Sequence, residues 1–559
     1  MWRDIDRDKT LQKWLMRRLD QLKAKRGRTE QRRWDAYSMV DFRTAQDKDA
    51  GQLIKPRHLS ESKHIAYLDT FVDGVMANLC SPNVKWFKLL TRGSGGEDAD
   101  DIEGALDWLE DCEERIMQHF NDSHYYPEAR MAVKDAAVGG TSFELVVTDP
   151  RTRRVIHDTL DPQECYIDED EAHVVDTFFQ EFSMTLWQFC RKFGQENLPP
   201  KLKEEADKER WDMRVDMVHA ICPVEQIPKE CRGLVKARMK GWASIWYEES
   251  DDAVFRVDGY YIFPVVVHRY ERDDSSPYGV GLVMKNMRLL EKYQHNVRQY
   301  GVGIDKQLSP LMWAPQSLKD KFDSRPGSVL FGNQGDGVPQ PIQTVLDLSS
   351  VDRRVLQDEL DLRQMFYNDL FQMVAQDDVQ RTKYEVQRIE GRRLMLLSGV
   401  IGNMQYEKLN PTIRTTMAGL LQMNGLAPLP PELARQARSG AAPFGFIVEL
   451  DGLLAQNLKA YQQLNGMEGG IEAVTMVASI NNQALANFDF DKLSRKYAMA
   501  KGMPQDCIRE KSEVRQIRKQ QLAMAQAAAE QQQMLNASQV YRNLGGKEAA
   551  GGPLAGGAV

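Results

Sequence analysis

The spacing of apolar residues predicts two long helices in the middle of the chain, separated by a segment that cannot be helical. In the first helix, residues 277–306, apolar side chains recur on one side, at Val283, Met287, Leu290, Val297, Tyr300 and Ile304. The second helix, residues 350–373, has its apolar positions at Leu356, Leu360, Phe366 and Leu370. Five prolines and a glycine-rich turn in residues 307–349 exclude a regular helix there, and short apolar runs such as 311–313 and 328–331 predict a small sheet.

The polar sides of these two helices carry opposite charge. The first helix is basic, with Lys285, Arg288, Lys292 and His295 opposite its apolar side. The second helix is acidic, with Asp352, Asp358, Glu359, Asp361 and Asp369. Two such helices can pair in register, although exposed ion pairs contribute only ~0.2–1 kcal/mol each. The alternative is that both helices simply have solvated polar faces.

A polar stretch and a third helix follow. Residues 374–381 predict a loop, and Thr382 and Glu385 then have the spacing of a capping box, which satisfies the free backbone N–H groups where a helix begins. The third helix runs past Met404, and Pro411 predicts a kink in it. Residues 446–450 predict a strand that returns to the first half of the chain.

The first half of the chain mixes helices and strands. Residues 8–43 predict a strongly basic helix with an apolar side formed by Trp14, Leu15, Leu19, Leu22 and Trp34. Its basic residues form either a solvated face or a contact with a neighbouring subunit, a capsid or nucleic acid. Further helices are predicted at 60–79, 100–121, 126–140 and 185–193, and strands at 143–147, 154–156, 166–168, 173–175, 213–222, 241–247 and 260–270.

The C-terminal part is predominantly helical by the same criterion. Helices are predicted at 454–464, 470–486 and 490–500, followed by a helix rich in Gln, Ala and Met at 510–541. Residues 545–559 are rich in Gly and Ala and are expected to be disordered.

Composition narrows the class of protein. No apolar run of about 18 residues occurs, so we expect no membrane span, and the N-terminus does not resemble a signal peptide. Seven cysteines without a C-x-x-C pair indicate reduced thiols in a protein made in the cytosol. The net charge of -8 is unusual for a protein that grips DNA but compatible with one that lets DNA slide past, and equally with an ordinary enzyme.

No catalytic motif stands out. A P-loop, H-E-x-x-H and G-x-S-x-G are all absent from the sequence. One group of acidic and imidazole side chains has the chemistry to bind a divalent cation: His157, Asp158, Asp161, Asp168, Glu169, Asp170, Glu171 and His173. A solvated acidic loop is the more common meaning of such a run, so the expectation is no metal and no cofactor. A metal-dependent nuclease or phosphoryl-transfer enzyme using Asp168 and Asp170 remains an alternative.

Three features of the sequence carry a family resemblance. Ser276-Pro277-Tyr278-Gly279 leads into the first long helix, Arg381-Thr382-Lys383-Tyr384-Glu385-Val386 opens the third, and the chain ends in a Gln/Ala/Met-rich segment. The chain resembles the portal, or head-to-tail connector, proteins of short-tailed bacteriophages, which have Ser-Tyr-Gly and Thr-Ala-x-Glu segments at the first two places. Lys383 and Tyr384 depart from the small or polar residues of the family. The order of elements extends the likeness over most of the chain.

The resemblance implies a portal-type fold that is mainly α with an α+β wing, long stem helices, a small clip sheet, a kinked wing helix, a helical crown and a C-terminal barrel helix. The implied order is a wing at 1–276, a first stem helix at 277–306, a clip at 307–349, a second stem helix at 350–373, a tunnel loop at 374–381, a kinked wing helix and return strand at 382–450, a crown at 451–509, a barrel helix at 510–544 and a disordered tail at 545–559.

The resemblance also implies a function and partners. A dodecameric ring at one capsid vertex would conduct double-stranded DNA during packaging and ejection, without enzymatic activity or sequence specificity. Its partners would be terminase, the major capsid protein, a scaffolding protein, a tail adaptor, and internal core or ejection proteins, with no membrane. The protein would be made in the bacterial cytoplasm and reside in the virion. A helical adaptor unrelated to viruses is a further alternative.

Three sets of site residues follow from the resemblance. Neighbouring copies would meet through stem residues Lys285, Arg288, Lys292, Asp358, Glu359 and Asp361. The tunnel-loop set is Gln372, Gln376, Asp377, Asp378, Gln380 and Arg381. It would form either a polar, partly anionic collar around DNA or an ordinary connection between helices. The clip aromatics Trp313, Phe322 and Phe331 would either face the motor and adaptor or form the core of the clip sheet.

Overall fold

The computed structural model describes residues 5–40, 42–43, 46–47, 52–53, 59–91, 105–149, 152–235, 241–249, 253–313, 340–342, 348–371, 398–428, 430 and 446–450, with scattered positions between 470 and 536. The chain divides into two compact units, residues 1–457 and 458–559. The predicted tunnel loop and C-terminal tail lie outside the described residues, as do the crown and barrel helix except for scattered helical positions. Every helix that the structure describes is either too short or too polar to span a lipid bilayer.

The predicted wing, residues 1–276, contains six α-helices and eleven strands within its described part. The helices are α1 (Ile5–Met39), α2 (Lys63–Leu79), α3 (Ala105–Asp122), α4 (Tyr125–Gly139), α5 (Leu186–Phe193) and α6 (Pro200–Asp207). The strands are β1 (Gln46–Asp47), β2 (Gln52–Leu53), β3 (Phe87–Thr91), β4 (Thr141–Asp149), β5 (Arg154–Leu160), β6 (Cys165–Glu169), β7 (Val175–Thr185), β8 (Arg214–Pro223), β9 (Trp242–Glu248), β10 (Ala253–Tyr260) and β11 (Val265–Arg269).

Two antiparallel sheets organise this body. The larger has the strand order β10-β9-β8-β7-β6, and the smaller has the order β11-β4-β5. Helix α1 packs its buried residues Leu15, Leu19 and Leu22 on the larger sheet, as its apolar spacing predicts. The predicted hairpin of 143–147 with 154–156 is confirmed as β4 and β5. The predicted strand at 173–175 begins only at Val175, because His173 turns the chain with φ at 60°.

The stem begins as two helices rather than one. A short α7 (Leu282–Lys285) precedes α8 (Met287–Leu308), so the predicted helix 277–306 starts later and is interrupted at Asn286. The partner helix is α9 (Leu348–Met365), followed by α10 (Asn368–Phe371). Contacts of Lys292 with Asp358, and of Gly303 with Leu348, show that α8 and α9 run antiparallel.

Only the base of the predicted clip is described. Strand β12 (Met312–Trp313) pairs with β13 (Gln340–Pro341), so the small sheet is present at this end. The predicted apolar strand at 328–331 lies outside the described residues.

The third helix contains an irregular turn where proline predicts one. Helix α11 (Ser398–Asn403) continues into a π-helical segment, Met404–Leu409, and then into α12 (Asn410–Gln422), with Pro411 in its first turn. The predicted return strand is confirmed as β14 (Phe446–Leu450). Its partner is β3, in a separate two-stranded sheet.

The wing and the stem meet where two glycine-containing segments touch through their backbones. Gly140 has φ at 85°, a conformation that favours glycine. A Cβ on Gly279 would overlap the carbonyl oxygen of Gly140, and a Cβ on Gly281 would lie 2.5 Å from the carbonyl oxygen of Val138. The N–H of Gly279 donates to Thr141 Oγ1 at 2.9 Å. Side chains at these positions would therefore separate the end of α4 from the start of the stem.

Tyr278 fixes the same junction from the other side. Its ring is buried, and its hydroxyl oxygen accepts a hydrogen bond from the N–H of Ile167 at 3.1 Å. The Arg33 guanidinium lies 4.6 Å from the ring centroid and donates to the carbonyl oxygen of Gly139. The Ser-Pro-Tyr-Gly segment is thus a packing element that joins α1, α4 and the larger sheet.

Gly279→Ala is expected to lower the free energy of unfolding by about 1–3 kcal/mol, because overpacking at a closed contact forces the backbone apart. The added Cβ would also lie 2.9 Å from the Cβ of Arg269. Gly301→Ala is the matched control, since nothing lies within 4 Å of a Cβ at that exposed helical position. The control should gain roughly 0.5–1 kcal/mol from helix propensity. Urea unfolding measures the free energy of unfolding of both variants. An equal change in the two would contradict a closed backbone contact at Gly279.

Candidate assembly site on the stem

The two stem helices are joined by an ion pair inside one chain. Lys292 Nζ donates to Asp358 Oδ1 at 2.5 Å, and Asn296 Nδ2 donates to Asp358 Oδ2 at 2.6 Å. The Asp358 side chain is only 1% exposed, so both of its oxygens are satisfied within the chain. The hydrogen bond to this carboxylate raises the pKa of Lys292. Opposite charge therefore packs α8 against α9 of the same molecule, where the sequence analysis expected it between copies.

The other charged stem residues are also largely occupied. Glu359 accepts hydrogen bonds from Tyr67 Oη at 2.7 Å and Lys63 Nζ at 3.0 Å, both on α2. Burial opposes its ionisation, but these two bonds still leave the pKa of Glu359 below its usual value. Lys285 pairs with Glu271 at 2.7 Å. The stem ion pairs thus tie the stem to the wing.

A role between copies stays a prediction for all six stem charges, because an ion pair inside one chain does not exclude a contact with another. Lys285 and Lys292 are more than half exposed. Asp361 accepts a hydrogen bond from the neutral Gln357 amide at 2.9 Å, and Arg288 is exposed on α8.

Four large apolar residues of the described stem helices face solvent, including Leu308 at the end of α8. Leu356 and Leu360 on α9 are 53% and 50% exposed, and Val302 on α8 is 41% exposed. We call these three residues the stem ridge. Leu356, Leu360 and Phe366 are apolar positions of the predicted second stem helix. Within one chain only Phe366 is buried.

The geometry of α9 explains this exposure. Its buried positions Asp358, Leu362 and Phe366 are spaced four residues apart and define the side that packs inward. Each ridge leucine lies two residues from this series, which places it about 200° around the helix. An exposed pair of leucines on the outer side of a long helix is typical of a surface that another protein covers.

The predicted clip and tunnel residues are mostly outside the described part of the chain. Trp313 is described and 57% exposed, close to the exposed Leu311 and Ile342 at the clip base. Phe322 and Phe331 lie outside the described residues, as do all six tunnel-loop residues: Gln372, Gln376, Asp377, Asp378, Gln380 and Arg381. Their roles stay predictions.

A buried charge cluster lies where the third helix meets the smaller sheet. It consists of Glu144 on β4, His157 on β5, Arg269 on β11, and Glu407 and Lys408 on the π-helical segment. Lys408 Nζ donates to Glu144 Oε2, and His157 Nδ1 lies 2.8 Å from Glu144 Oε1. Arg269 donates from its backbone and its guanidinium to Glu407, at 2.8 and 2.9 Å.

The cluster keeps a carboxylate ionised in the interior. Burial alone would raise the pKa of Glu144, but Lys408 and His157 lower it to about 2. The sequence analysis did not identify this cluster. Its one sequence signal is Lys408, four residues from Met404 on an apolar helix side, since a lysine at a buried position requires a partner.

The acidic and imidazole side chains that the sequence suggests for a metal site contact different partners in the structure. Asp168 accepts from Arg18 at 2.7 Å and from Lys25 at 2.8 Å, both on α1. Glu169 pairs with Arg269, and His157 faces Glu144 in the interior. No group of three His, Cys, Asp or Glu side chains within the described ranges is placed to hold a metal ion. The arrangement gives no support to the nuclease alternative.

Several basic residues of α1 serve the wing itself. Arg26 is buried against the Tyr166 ring and donates to the carbonyl oxygen of Gln163 at 2.6 Å. Lys23 pairs with Glu181 at 3.0 Å. A solvated face therefore does not describe Arg26, which packs on β6, whereas Lys23 is 40% exposed and pairs with β7. Contact of the basic face with another molecule stays a prediction.

Comparison with known proteins places these features in a family. The family model described as bacteriophage head to tail connecting protein matches residues 12–508. The chain is 26% identical over 551 residues to a protein of Bordetella phage BPP-1 named "Probable portal protein", covering 95% of this chain and 94% of that protein. It is also 26% identical over 470 residues to the "Portal protein" of Salmonella phage epsilon15, covering 81% of this chain and 80% of that protein.

Lys408→Met is expected to destabilise the wing by roughly 3–5 kcal/mol, because it leaves the Glu144 carboxylate buried without its cation. Adding Glu144→Gln removes that charge, so the double variant should recover much of the loss. Urea unfolding of the single and double variants measures the difference. A double variant no more stable than Lys408→Met would show that the ion pair is not the source of the effect.

The stability of the wing should fall in acid. Burial, with the nearby charges of Lys408 and Arg269, lowers the pKa of His268 to about 3, and burial lowers that of His119 to about 4. Both rings titrate near 6.5 when unfolded, so the unfolded chain binds more protons between these values. Stability is then lost as the pH drops below about 6.5, by up to about 1.4 kcal/mol per pH unit for each ring. Glu144, with its lowered pKa, adds a loss of the same sign below about 4.5.

His268→Leu tests this dependence, because it removes one titrating ring from the interior. The slope of unfolding free energy against pH between about 6.5 and 4 should become shallower than in the wild type. Chemical denaturation at a series of pH values provides the measurement. An unchanged slope would mean that His268 does not titrate on unfolding as its burial requires.

Proposed function

Because the chain belongs to the family of bacteriophage head to tail connecting proteins, we propose that it is a portal protein that forms a dodecameric ring at one capsid vertex. The ring would conduct double-stranded DNA during genome packaging and ejection. The observation that carries the proposal is the stem ridge, an apolar surface on a pair of helices whose principal charges are already paired inside the chain.

The stem ridge fits contact with a second copy. Val302 and the two leucines lie on both helices of the stem, and all three remain exposed when α8 and α9 pack together. A contact between unlike surfaces of identical subunits closes into a ring when its rotation is a whole fraction of a turn. Copies standing side by side would cover the ridge and enclose a channel.

The channel lining would come from residues 372–381. Gln372, Gln376 and Gln380 are polar and uncharged, and Asp377 and Asp378 would repel phosphates. Each phosphate that a protein neutralises adds salt-sensitive affinity, so a collar with few cations suits passage without capture. Arg381 would make at most a transient backbone contact.

The partners follow from the place of such a ring in the particle. Association with head and tail components is what the family description implies, and the protein is a component of the virion. We propose that the clip, with Trp313 exposed at its base, meets terminase first and a tail adaptor later. The wing and crown would meet the major capsid, scaffolding, and internal core or ejection proteins. A separate ATPase would supply the packaging energy, since the sequence holds no P-loop.

Leu356→Gln with Leu360→Gln is expected to prevent ring closure, because it replaces the apolar contact between copies with polar side chains. Native mass spectrometry and negative-stain images of the particle axis measure assembly. Rings of the wild type should persist at high salt, since apolar contact is not screened as ion pairs are. The matched control is Val84→Gln with Ile262→Gln, which replaces two exposed apolar residues of the wing and should leave rings intact.

Intact rings in the leucine variant would exclude the ridge as the interface. A wild-type chain that stays monomeric at micromolar concentration would contradict the ring itself. Both leucines are exposed within one chain, so urea unfolding of the unassembled variant should match that of the wild type.

A further inference from the structure

The π-helical segment Met404–Leu409 interrupts an otherwise α-helical rod. The N–H of Asn410 donates to the carbonyl oxygen of Gln405, five residues earlier, where an α-helix would use the fourth. Pro411 has no N–H, so it cannot serve the carbonyl of Glu407 in an α-helix. A π turn contains one residue more than an α turn. If the turn became α-helical, this extra residue would join the helix before it or the helix after it.

The two sides of this rod are packed very differently. After the turn, Thr412, Ile413, Thr416 and Met417 are buried, and a Cβ on Gly419 would touch Thr148 and Val155. Before the turn, Gly399 and Gly402 have no atoms within 4 Å of a Cβ, and both are exposed. Helix α12 is therefore packed on the wing through many buried side chains, whereas α11 contacts the wing through half-buried residues and a hydrogen bond from Asn403 to the carbonyl oxygen of Tyr270 at 3.3 Å.

Side chains of the turn hold it in the π form. Glu407, Lys408 and Leu409 are consecutive, and all three face the wing: Glu407 binds Arg269, Lys408 binds Glu144, and Leu409 is fully buried. On an α-helix three consecutive residues spread over about 200°. The wider π turn narrows this spread, which favours the contacts of Glu407 and Lys408 with the wing.

We propose that the π turn is a register switch between α11 and α12. Conversion of the turn to α geometry would break the contacts of Glu407 and Lys408 with the wing. It would also shift α11 by one residue along the helix axis, away from α12. That shift is about 1.5 Å along the axis and 100° around it. Helix α12 would stay in place on the wing.

The inference rests on the proposed function only for the role of the segment that the register shift would displace. Helix α11 is the described element that leads back along the chain to the proposed tunnel loop at 374–381. The shift would move the N-terminal end of α11, from which the chain leads back to that loop, while α12 stays fixed on the wing. The register change itself does not require a ring.

A shift of one residue gives each position of α11 the surroundings of the position before it. Two adjacent positions can therefore change their exposure in opposite directions, and the test measures this. Gly402 is exposed and would take the half-buried place of Ile401, while Asn403 is half-buried and would take the exposed place of Gly402. The experiment places Gly402→Cys and Asn403→Cys in separate full-length chains and measures maleimide modification by mass spectrometry. Cysteines 80, 112, 165, 190, 222 and 231 are buried. The seventh, Cys507, lies outside the described residues, so both variants also carry Cys507→Ser.

Pro411→Ala supplies the missing N–H and is expected to favour the α register. The modification rate should then fall several-fold at position 402 and rise several-fold at position 403. Glu407→Gln, which weakens one ion pair and keeps the side-chain shape, should move both rates in the same directions by less. Pro200→Ala is the matched control, because Pro200 also lies in the first turn of a helix but follows no π turn.

Two results would overturn the switch. Rates at 402 and 403 that stay equal to those of the control in both variants would show a static turn. Rates that rise together at both positions would show local fraying in place of a shift in register. The second variant decides the question if Pro411→Ala fails to fold. Crossed rates in chains that form no rings would uphold the switch and count against the proposed function, so the two failures are separable.

Discussion

The direction in which the stem leaves the wing depends on the close approach of two backbones. Residues 138–140 end helix α4, residues 279–281 begin the stem, and side chains larger than hydrogen do not fit between them. Tyr278 and Arg33 fill the space beside this contact and link it to the larger sheet and to α1. The stem is therefore rigidly placed on the wing at its root. Any assembly built from the stem inherits its geometry from this junction.

Many charged side chains of this protein form ion pairs within the chain, and some of these pairs are buried. Asp168, which looks from the sequence like part of a cation site, binds Arg18 and Lys25 of α1. Glu144 and Lys408 form a pair in which each side chain is 1% exposed. The net charge of the whole chain is -8, and several of its cations are engaged in pairs of this kind.

The sequence predicted the elements well and their partners poorly. Apolar spacing located α1, α2, α3 and α4 and the strands β4, β5, β6, β8 and β9 to within a few residues, because local periodicity determines them. It missed β10 and nearly all of β7, two strands of the larger sheet. It also located the irregularity at Pro411. It could not reveal that Leu356 and Leu360 stay exposed, since apolar residues on a helix follow the same spacing whether the chain itself or another copy covers them. The ion pairs Arg18–Asp168 and Lys408–Glu144 join residues 150 and 264 positions apart, which no local pattern reveals.

The pairing of distant segments has a consequence for synthesis. Strand β3 can pair with β14, and Glu144 with Lys408, only after the later segment has been synthesised. The wing therefore lacks part of its interior until the stem and clip have been translated. At bacterial elongation speeds of about 5–20 residues per second, the interval between Glu144 and Lys408 leaving the ribosome is on the order of 10–50 s. During that time a carboxylate destined for the interior remains in contact with water. Nascent chains of this kind are natural clients for chaperones, and the stem emerges attached to a wing that is not yet closed.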